Sequence, residues 1–270
     1  MAIDAYSQSQ DIEYVLPPEL RPNIDHIVTE DNEPMDNVFS EKQQRLLIRS
    51  LHASWPGPAP NVPFVAMANV GMFFQLYQPP IVPDVLLSLN VALPCDVRPK
   101  SARSYFIWEY GKPPEVVVEI VSNKEGNEDT KKLAKYAELG VRYYAIFDPD
   151  QLLSREVLRV YRLNGFPPEQ VHEPIWFPGV NLGLQLWYGK FEELQTTWLR
   201  WVDSQGALIP TGEERAFEAD QRAEAADQRA EAERKRAEEA DQRAGAEHRR
   251  ADLLAAKLRE LGIDFDADQT

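Results

Sequence analysis

Two carboxylates and a lysine carry the chemistry this chain could do. Asp84 follows Pro83 inside the apolar run Ile81-Val82-Pro83-Asp84-Val85-Leu86-Leu87. Glu119 interrupts the most apolar stretch of the sequence, Glu115-Val116-Val117-Val118-Glu119-Ile120-Val121. Lys132 lies on the segment that follows. A carboxylate inside such a strand is costly to bury without a partner. Two acids that share a divalent cation, with a lysine facing the same spot, are the parts of a site that hydrolyses phosphodiesters.

Each residue also has a plainer reading. Asp84 alone reads as a turn aspartate. Glu119 shares a strand face with Val117 and Val121, while Val116, Val118 and Ile120 line the other face. A strand apolar on both faces is expected to be buried on both, so its carboxylate needs a cation or several donors. A structural ion pair meets that need as well as a metal does, and Lys132 could be its partner. On a helix, Lys132 shares a face with Glu128, Tyr136 and Leu139, which would let Glu128 orient the lysine. The stretch from Ser122 to Asn127 reads as a flexible loop that could reach a substrate.

The elements around these residues follow from local pattern. Ser40 reads as the N-cap of an amphipathic helix from Glu41 to His52, with Leu46, Leu47 and Leu51 inward. The proline-rich run from Trp55 to Pro60 stops it. Strands are expected at Phe64–Asn69, Gly71–Tyr77, Ile81–Leu89, Tyr105–Trp108, Glu115–Val121, Val141–Phe147 and Leu158–Leu163, with Val180–Leu186 closing a mixed sheet. A helix is expected over Glu128–Leu139, with Leu133, Tyr136 and Ala137 on one side and Gly140 in the left-handed cap position. Strand, helix and strand from 115 to 147 make a crossover unit. Trp187, Trp198 and Trp201 read as core aromatics that close the domain.

Composition narrows the class. No apolar run approaches the roughly 20 residues of a membrane span, and the N-terminus has neither a basic nor an apolar leader segment. Cys95 is the only cysteine, which excludes an internal disulfide or a cysteine-rich zinc site and fits a cytoplasmic setting. The net charge is −15. The tail from Glu213 onward, with 14 acids against 11 bases and then Asp264, Asp266 and Asp268, accounts for six of these charges and leaves −9 on residues 1–212. Affinity for DNA comes largely from neutralising phosphates. A DNA partner would therefore need metal ions or a local basic patch, for which Lys131, Lys132 and Lys135 are the small candidate cluster.

The tail has a period of seven. Asp-Gln-Arg-Ala recurs at 220, 227 and 241. Ala216, Ala223, Ala230, Ala237, Ala244, Ala251 and Leu258 fall in one register, and a second register three residues on runs from Ala219 to Leu261. That is a coiled-coil seam, interrupted by Glu233 and Glu247 and strongest at Leu254, Leu258 and Leu261, with Gly262 ending the helix. It implies a homo-oligomer, such as a dimer, through residues 213–262. A solvated single helix held by charge pairs is the alternative. The chain thus divides into an arm (1–23), a body (24–212) with a tryptophan-rich extension, a helical tail (213–262) and an acidic terminus (263–270).

The motifs also occur in a recognisable order. Pro83-Asp84, then Glu119-Ile120-Val121-Ser122, then Lys132 to Val141, then Tyr143-Tyr144-Ala145-Ile146-Phe147-Asp148-Pro149 resembles the Uma-two family of restriction endonucleases, in the PD-(D/E)XK nuclease superfamily. The tryptophan-rich extension and the Ala/Glu/Arg tail resemble a cyanobacterial subgroup of it. The resemblance implies an α/β, restriction-endonuclease-like core with a central mixed β-sheet flanked by helices, and hydrolysis of DNA phosphodiester bonds. It implies Asp84 and Glu119 as ligands of Mg2+ (or Mn2+), with the Ile120 carbonyl as a further oxygen. The parent motif has a lysine where this chain has Val121; the resemblance places that role on Lys132, with Lys135 as a weaker alternative. A helical acid ahead of the core would be Glu41, Glu30 or Glu33. Against a metal-dependent endonuclease stand two other readings. One is an inactive nuclease-like fold that assembles through its coiled coil. The other is a plain buried Glu119–Lys132 ion pair.

Overall fold

In the computed structural model, Pro17 and residues 20–23, 37–122, 128–165 and 167–261 are described. Helix α1 (Val38–Ser54) starts three residues before the expected Glu41, because Asn37 rather than Ser40 caps it: the Asn37 side chain accepts the Ser40 N–H at 2.8 Å. Buried Leu46, Leu47 and Leu51 form its inward face.

The strands that follow are shorter than their apolar runs, because each needs a paired neighbour of matching length. β1 (Phe64–Ala68) precedes β2, which is only Met72–Phe73 and not Gly71–Tyr77. β3 (Val85–Leu89) starts after Asp84. β4 (Tyr105–Phe106) pairs with β2 and gives way at once to the helical turn α2 (Ile107–Tyr110), where a longer strand was expected. β5 (Val116–Ile120) leads through a π-helical turn at Glu128–Lys132 into α3 (Leu133–Glu138), which ends at Gly140 with φ +81°. β6 (Tyr143–Phe147), β7 (Leu158–Arg162) and β8 (Glu169–Val171) follow.

The central sheet runs β1-β3-β5-β6-β7-β8. Only β5 and β6 are parallel, and a parallel pair needs a crossover, here the π turn and α3. One sheet face packs Val116, Val118, Ala145 and Phe147 against Leu47 and Leu51 of α1 and against a second sheet. The other face packs Val117, Tyr144 and Ile146 against Tyr136 of α3.

The second sheet corrects the expectation that Val180–Leu186 completes the first. It contains β9 (Ile175–Phe177), β10 (Leu182–Phe191) and β11 (Leu194–Val202) in the order β11-β10-β9. Trp198 and Trp201 are buried there, and the Trp201 indole donates to the Leu47 carbonyl at 3.1 Å. Gln43 ties α1 to the same strand. Its amide donates to the Leu199 carbonyl at 2.8 Å and accepts the Leu199 N–H at 2.9 Å.

Residues Glu213–Thr270 form a unit of their own, distinct from Met1–Gly212. Helix α4 (Gly212–Glu260) is continuous over 49 residues and buries none of them. Charge pairs one turn apart, such as Glu218–Arg222 at 3.0 Å and Glu231–Lys235 at 2.9 Å, lie along its surface. The expected stop at Gly262 lies outside the described residues.

Replacing Gln43 leaves the buried Leu199 donor and acceptor without partners. Gln43→Ala is expected to lower unfolding stability by about 3 kcal/mol, with the larger part from the unsatisfied backbone groups. Urea denaturation checks this, and a loss below about 1 kcal/mol contradicts the role.

Candidate active site

Asp84 is placed by the end of a strand ladder. The β3–β5 pairing stops at Val85–Val118. Past that pair the Ile120 N–H needs an acceptor, since buried backbone donors are almost always satisfied. Asp84 supplies it: its Oδ2 accepts the Ile120 N–H at 2.6 Å. Its Oδ1 accepts Gln44 Nε2 at 2.7 Å. One side chain thus binds α1 to the residue immediately after Glu119, and this sets the two acids side by side.

Glu119 points to the α3 side of the sheet and is 1% exposed. Lys132 Nζ donates to its Oε2 at 2.9 Å, and the Tyr136 hydroxyl donates to its Oε1 at 2.6 Å. Lys132 and Tyr136 are four residues apart, one helical turn, so both face the same carboxylate. The start of the π turn is fastened to the sheet by the Tyr144 hydroxyl, which donates to the Glu128 carbonyl at 2.9 Å. Glu128 Oε1 lies 3.6 Å from Lys132 Nζ, while its Oε2 is buried with no hydrogen-bond partner among the described residues.

The electrostatics follow from burial. Desolvation pushes the Glu119 carboxyl up, to about 8, and the Asp84 charge pushes the same way, while Lys132 and the bonds from Tyr136 and Lys132 hold it down. Burial pulls the Lys132 ammonium down, but the Glu119 charge and hydrogen bond together with the charges of Glu128 and Asp84 outweigh it, and Lys132 ends above its ordinary value. These two shifts oppose each other, because a protonated Glu119 would withdraw the charge that raises Lys132. Geometry favours the ion pair. Both Glu119 oxygens receive donors, and the Tyr136 phenol, pushed well up by burial and by Glu119, remains a donor throughout the physiological range. Glu119 is therefore an anion beside an ammonium at neutral pH, and it takes up a proton more readily than a free carboxylate.

The donor set fits a divalent cation. Three buried carboxylates, Asp84, Glu119 and Glu128, act on a single ammonium, Lys132, which leaves two negative charges in excess among these groups. Asp84 accepts Gln44 Nε2 and the Ile120 N–H, and Glu119 accepts Lys132 Nζ and the Tyr136 hydroxyl; an ionised carboxylate offers about four lone-pair sites in all. Among the described residues no three acidic, histidine or cysteine side chains gather as a metal cluster.

The other expected residues lie elsewhere. Lys135 stands 4.1 Å from the centre of the Phe74 ring and pairs with Glu138 at 3.0 Å. Glu41 pairs with Arg45 at 3.0 Å, and Arg45 and Lys42 both hold Glu192 at the β10–β11 turn, so Glu41 belongs to that ion cluster and not to the site. Glu30, Glu33 and the loop from Asn123 to Asn127 lie outside the described residues. Val121 is buried in the α3-side core. The residue of α1 that does reach the acids is Gln44, which the sequence reading passed over. The available signal was a glutamine pair, Gln43-Gln44, on a helix face otherwise lined by Leu47 and Leu51.

A mixed sheet flanked by helices, with two adjacent acids at the end of its central strands and a lysine reaching in from the crossover helix, defines a restriction-endonuclease-like fold. A model of the Uma2 family, described as "Putative restriction endonuclease", matches residues 25–188, and the chain belongs to that family. No curated protein matches the chain. Among the described residues no helix is long and apolar enough to cross a membrane.

The raised Glu119 carboxyl gives a pH signature in the presence of a chelator. The folded state holds this proton to a higher pH than the ordinary 4.5 at which the unfolded state releases it, so Glu119 makes stability fall as pH rises from 4.5 towards neutrality. Glu119→Gln is expected to flatten that slope. Urea midpoints across this range check it, and parallel profiles for the two proteins would contradict it.

Proposed function

We propose that the chain is a Mg2+-dependent (or Mn2+-dependent) endonuclease that hydrolyses DNA phosphodiester bonds at Asp84, Glu119 and Lys132. The observation that carries this reading is the convergence of Lys132 Nζ on Glu119 beside an Asp84 fastened to the Ile120 amide. Asp84 and Glu119, with the Ile120 carbonyl, would hold the cation, which supplies the charge that activates water and stabilises phosphoryl oxygens. Lys132 takes the place of the motif lysine that Val121 lacks. Its ammonium orients the attacking water or the scissile phosphate, and it carries positive charge where negative charge grows in the transition state. Gln44 and Tyr136 hold the two acids in place without adding charge.

The arm (1–23), catalytic body (24–212), helical tail (213–262) and acidic terminus (263–270) are the functional divisions of this reading, in a cytoplasmic setting. DNA is the substrate, and α4 joins copies of the chain into a homo-oligomer. The −9 charge of the body and an α4 that buries none of its residues favour a second reading, an inactive nuclease-like fold that assembles through its tail.

Cleavage of supercoiled plasmid in manganese separates these readings. Wild type is expected to nick, and Glu119→Ala and Lys132→Ala to lose about 100-fold or more in rate. Equal nicking by wild type and Glu119→Ala would sink the assignment, and no nicking by wild type would leave the assembly reading. For the tail, light-scattering mass is expected to drop from an oligomer to a monomer when residues 213–270 are removed. A monomer at full length would exclude α4 as the oligomeriser.

A further inference from the structure

A cationic cavity lies at the end of the central sheet away from the acids. Arg142 stands one residue before β6, and Arg162 ends β7. The β6–β7 register sets Tyr143 opposite Arg162, whereas Glu119 is level with Ile146. Three residues of strand, about 10 Å, therefore separate the two places along the sheet. Gly140, Arg142, Tyr143, Arg162, Asn164 and Pro178 line a cavity of about 580 Å³. None of these lining residues is acidic.

Both guanidinium groups are short of acceptors. Arg142 makes no side-chain hydrogen bond or ion pair among the described residues. Its Nη1 lies against Gly179, where an added Cβ would stand only 3.1 Å from it. The bare backbone at Gly179 thus leaves room for a guanidinium. Arg162 donates only to Glu169 Oε2, at 3.3 Å, which is long for a charged pair. The Glu169 side chain is exposed, and Arg162 Nε is buried with no partner among the described residues. A guanidinium carries five N–H donors, so most of the donor capacity of this pair is unused. The Tyr143 hydroxyl is already committed, donating to the Pro178 carbonyl at 3.2 Å.

We propose that Arg142 and Arg162, with Asn164 beside them, form a binding site for a phosphate group, carried by a nucleic-acid backbone or by a free phosphate. In a body with a charge of −9, a cavity whose charged lining is wholly cationic is where an anion gathers. A guanidinium fork matches two oxygens of an oxyanion. One fork fills a carboxylate. A phosphate offers further oxygens to a second fork, and so suits a cavity lined by an arginine from each of two neighbouring chain segments. The site stands apart from the nuclease reading, since neither a metal nor Asp84, Glu119 or Lys132 takes part in it.

The test is an NMR titration of the full chain at low salt, without divalent metal, that follows the arginine Nε–Hε signals. Inorganic phosphate is the probe, and the signals missing from Arg142→Gln and Arg162→Gln identify the two residues. Both signals are expected to move and to saturate together. Each variant is expected to weaken phosphate binding by about 10- to 100-fold, the effect of losing a charged hydrogen-bond donor. Glu169→Gln removes the competing carboxylate and is expected to tighten binding. Urea midpoints confirm that the variants fold. An oligo-dT strand without terminal phosphates separates the sources. If it displaces phosphate, the site takes a backbone phosphodiester; if phosphate binds and the strand does not, the site takes a free phosphate. Shifts that fail to saturate, equal affinity in wild type and Arg142→Gln, or equal saturation by acetate would each overturn the proposal.

Discussion

Glu119 is an ionised group near the end of a strand that is buried on both faces, and the local structure is arranged around neutralising it. One oxygen takes Lys132 and the other takes Tyr136, and both donors come from successive turns of the crossover helix. Those donors fix where α3 lies on the sheet. Tyr144, on the neighbouring strand, holds the start of the π turn through the Glu128 carbonyl, so that the lysine approaches from the correct side. Removing one partner of such a buried pair typically costs 3–5 kcal/mol, far more than the pair itself contributes. This constraint makes the crossover helix part of the site as well as part of the fold.

The opposite side of the site depends on α1. That helix is locked to β11 by the two bonds of Gln43 and by Trp201, and the next residue, Gln44, delivers its amide to Asp84. The second sheet lies away from the acids, yet it sets the position of the helix that orients one of them. An amide at this position holds the aspartate without adding a further negative charge to those of Asp84, Glu119 and Glu128. The ion cluster of Lys42, Arg45 and Glu192 secures the same helix at its solvent side.

The central unit was legible in the sequence because its signals are strong and local. An acid inside an apolar strand, a helix four residues in register from Lys132 to Tyr136, and a glycine in the left-handed cap all depend on a few adjacent residues. The family resemblance adds the order of the motifs. What the sequence concealed depends on partners distant in the chain. Gly71–Tyr77 has strand-like composition, but β2 ends after two residues because β4 is no longer than that, and the rest becomes the loop that bears Tyr77. The run from Trp187 to Trp201 reads as aromatic core, and only its pairing across Phe191–Leu194 makes it a hairpin of a separate sheet. The π turn adds backbone that no side-chain period announces. Gln44 looks like any helical glutamine until Asp84 arrives beside it.

In the reading proposed above, Asp84 and Glu119 form one divalent-cation site whose charge Lys132 offsets only in part. Calorimetric titration of Mn2+ into the full chain and into Asp84→Asn tests it most directly. One saturable site in wild type, lost in Asp84→Asn while the urea midpoint stays close to that of wild type, is the predicted result. Absence of binding in wild type, or equal binding by the two folded proteins, would contradict it.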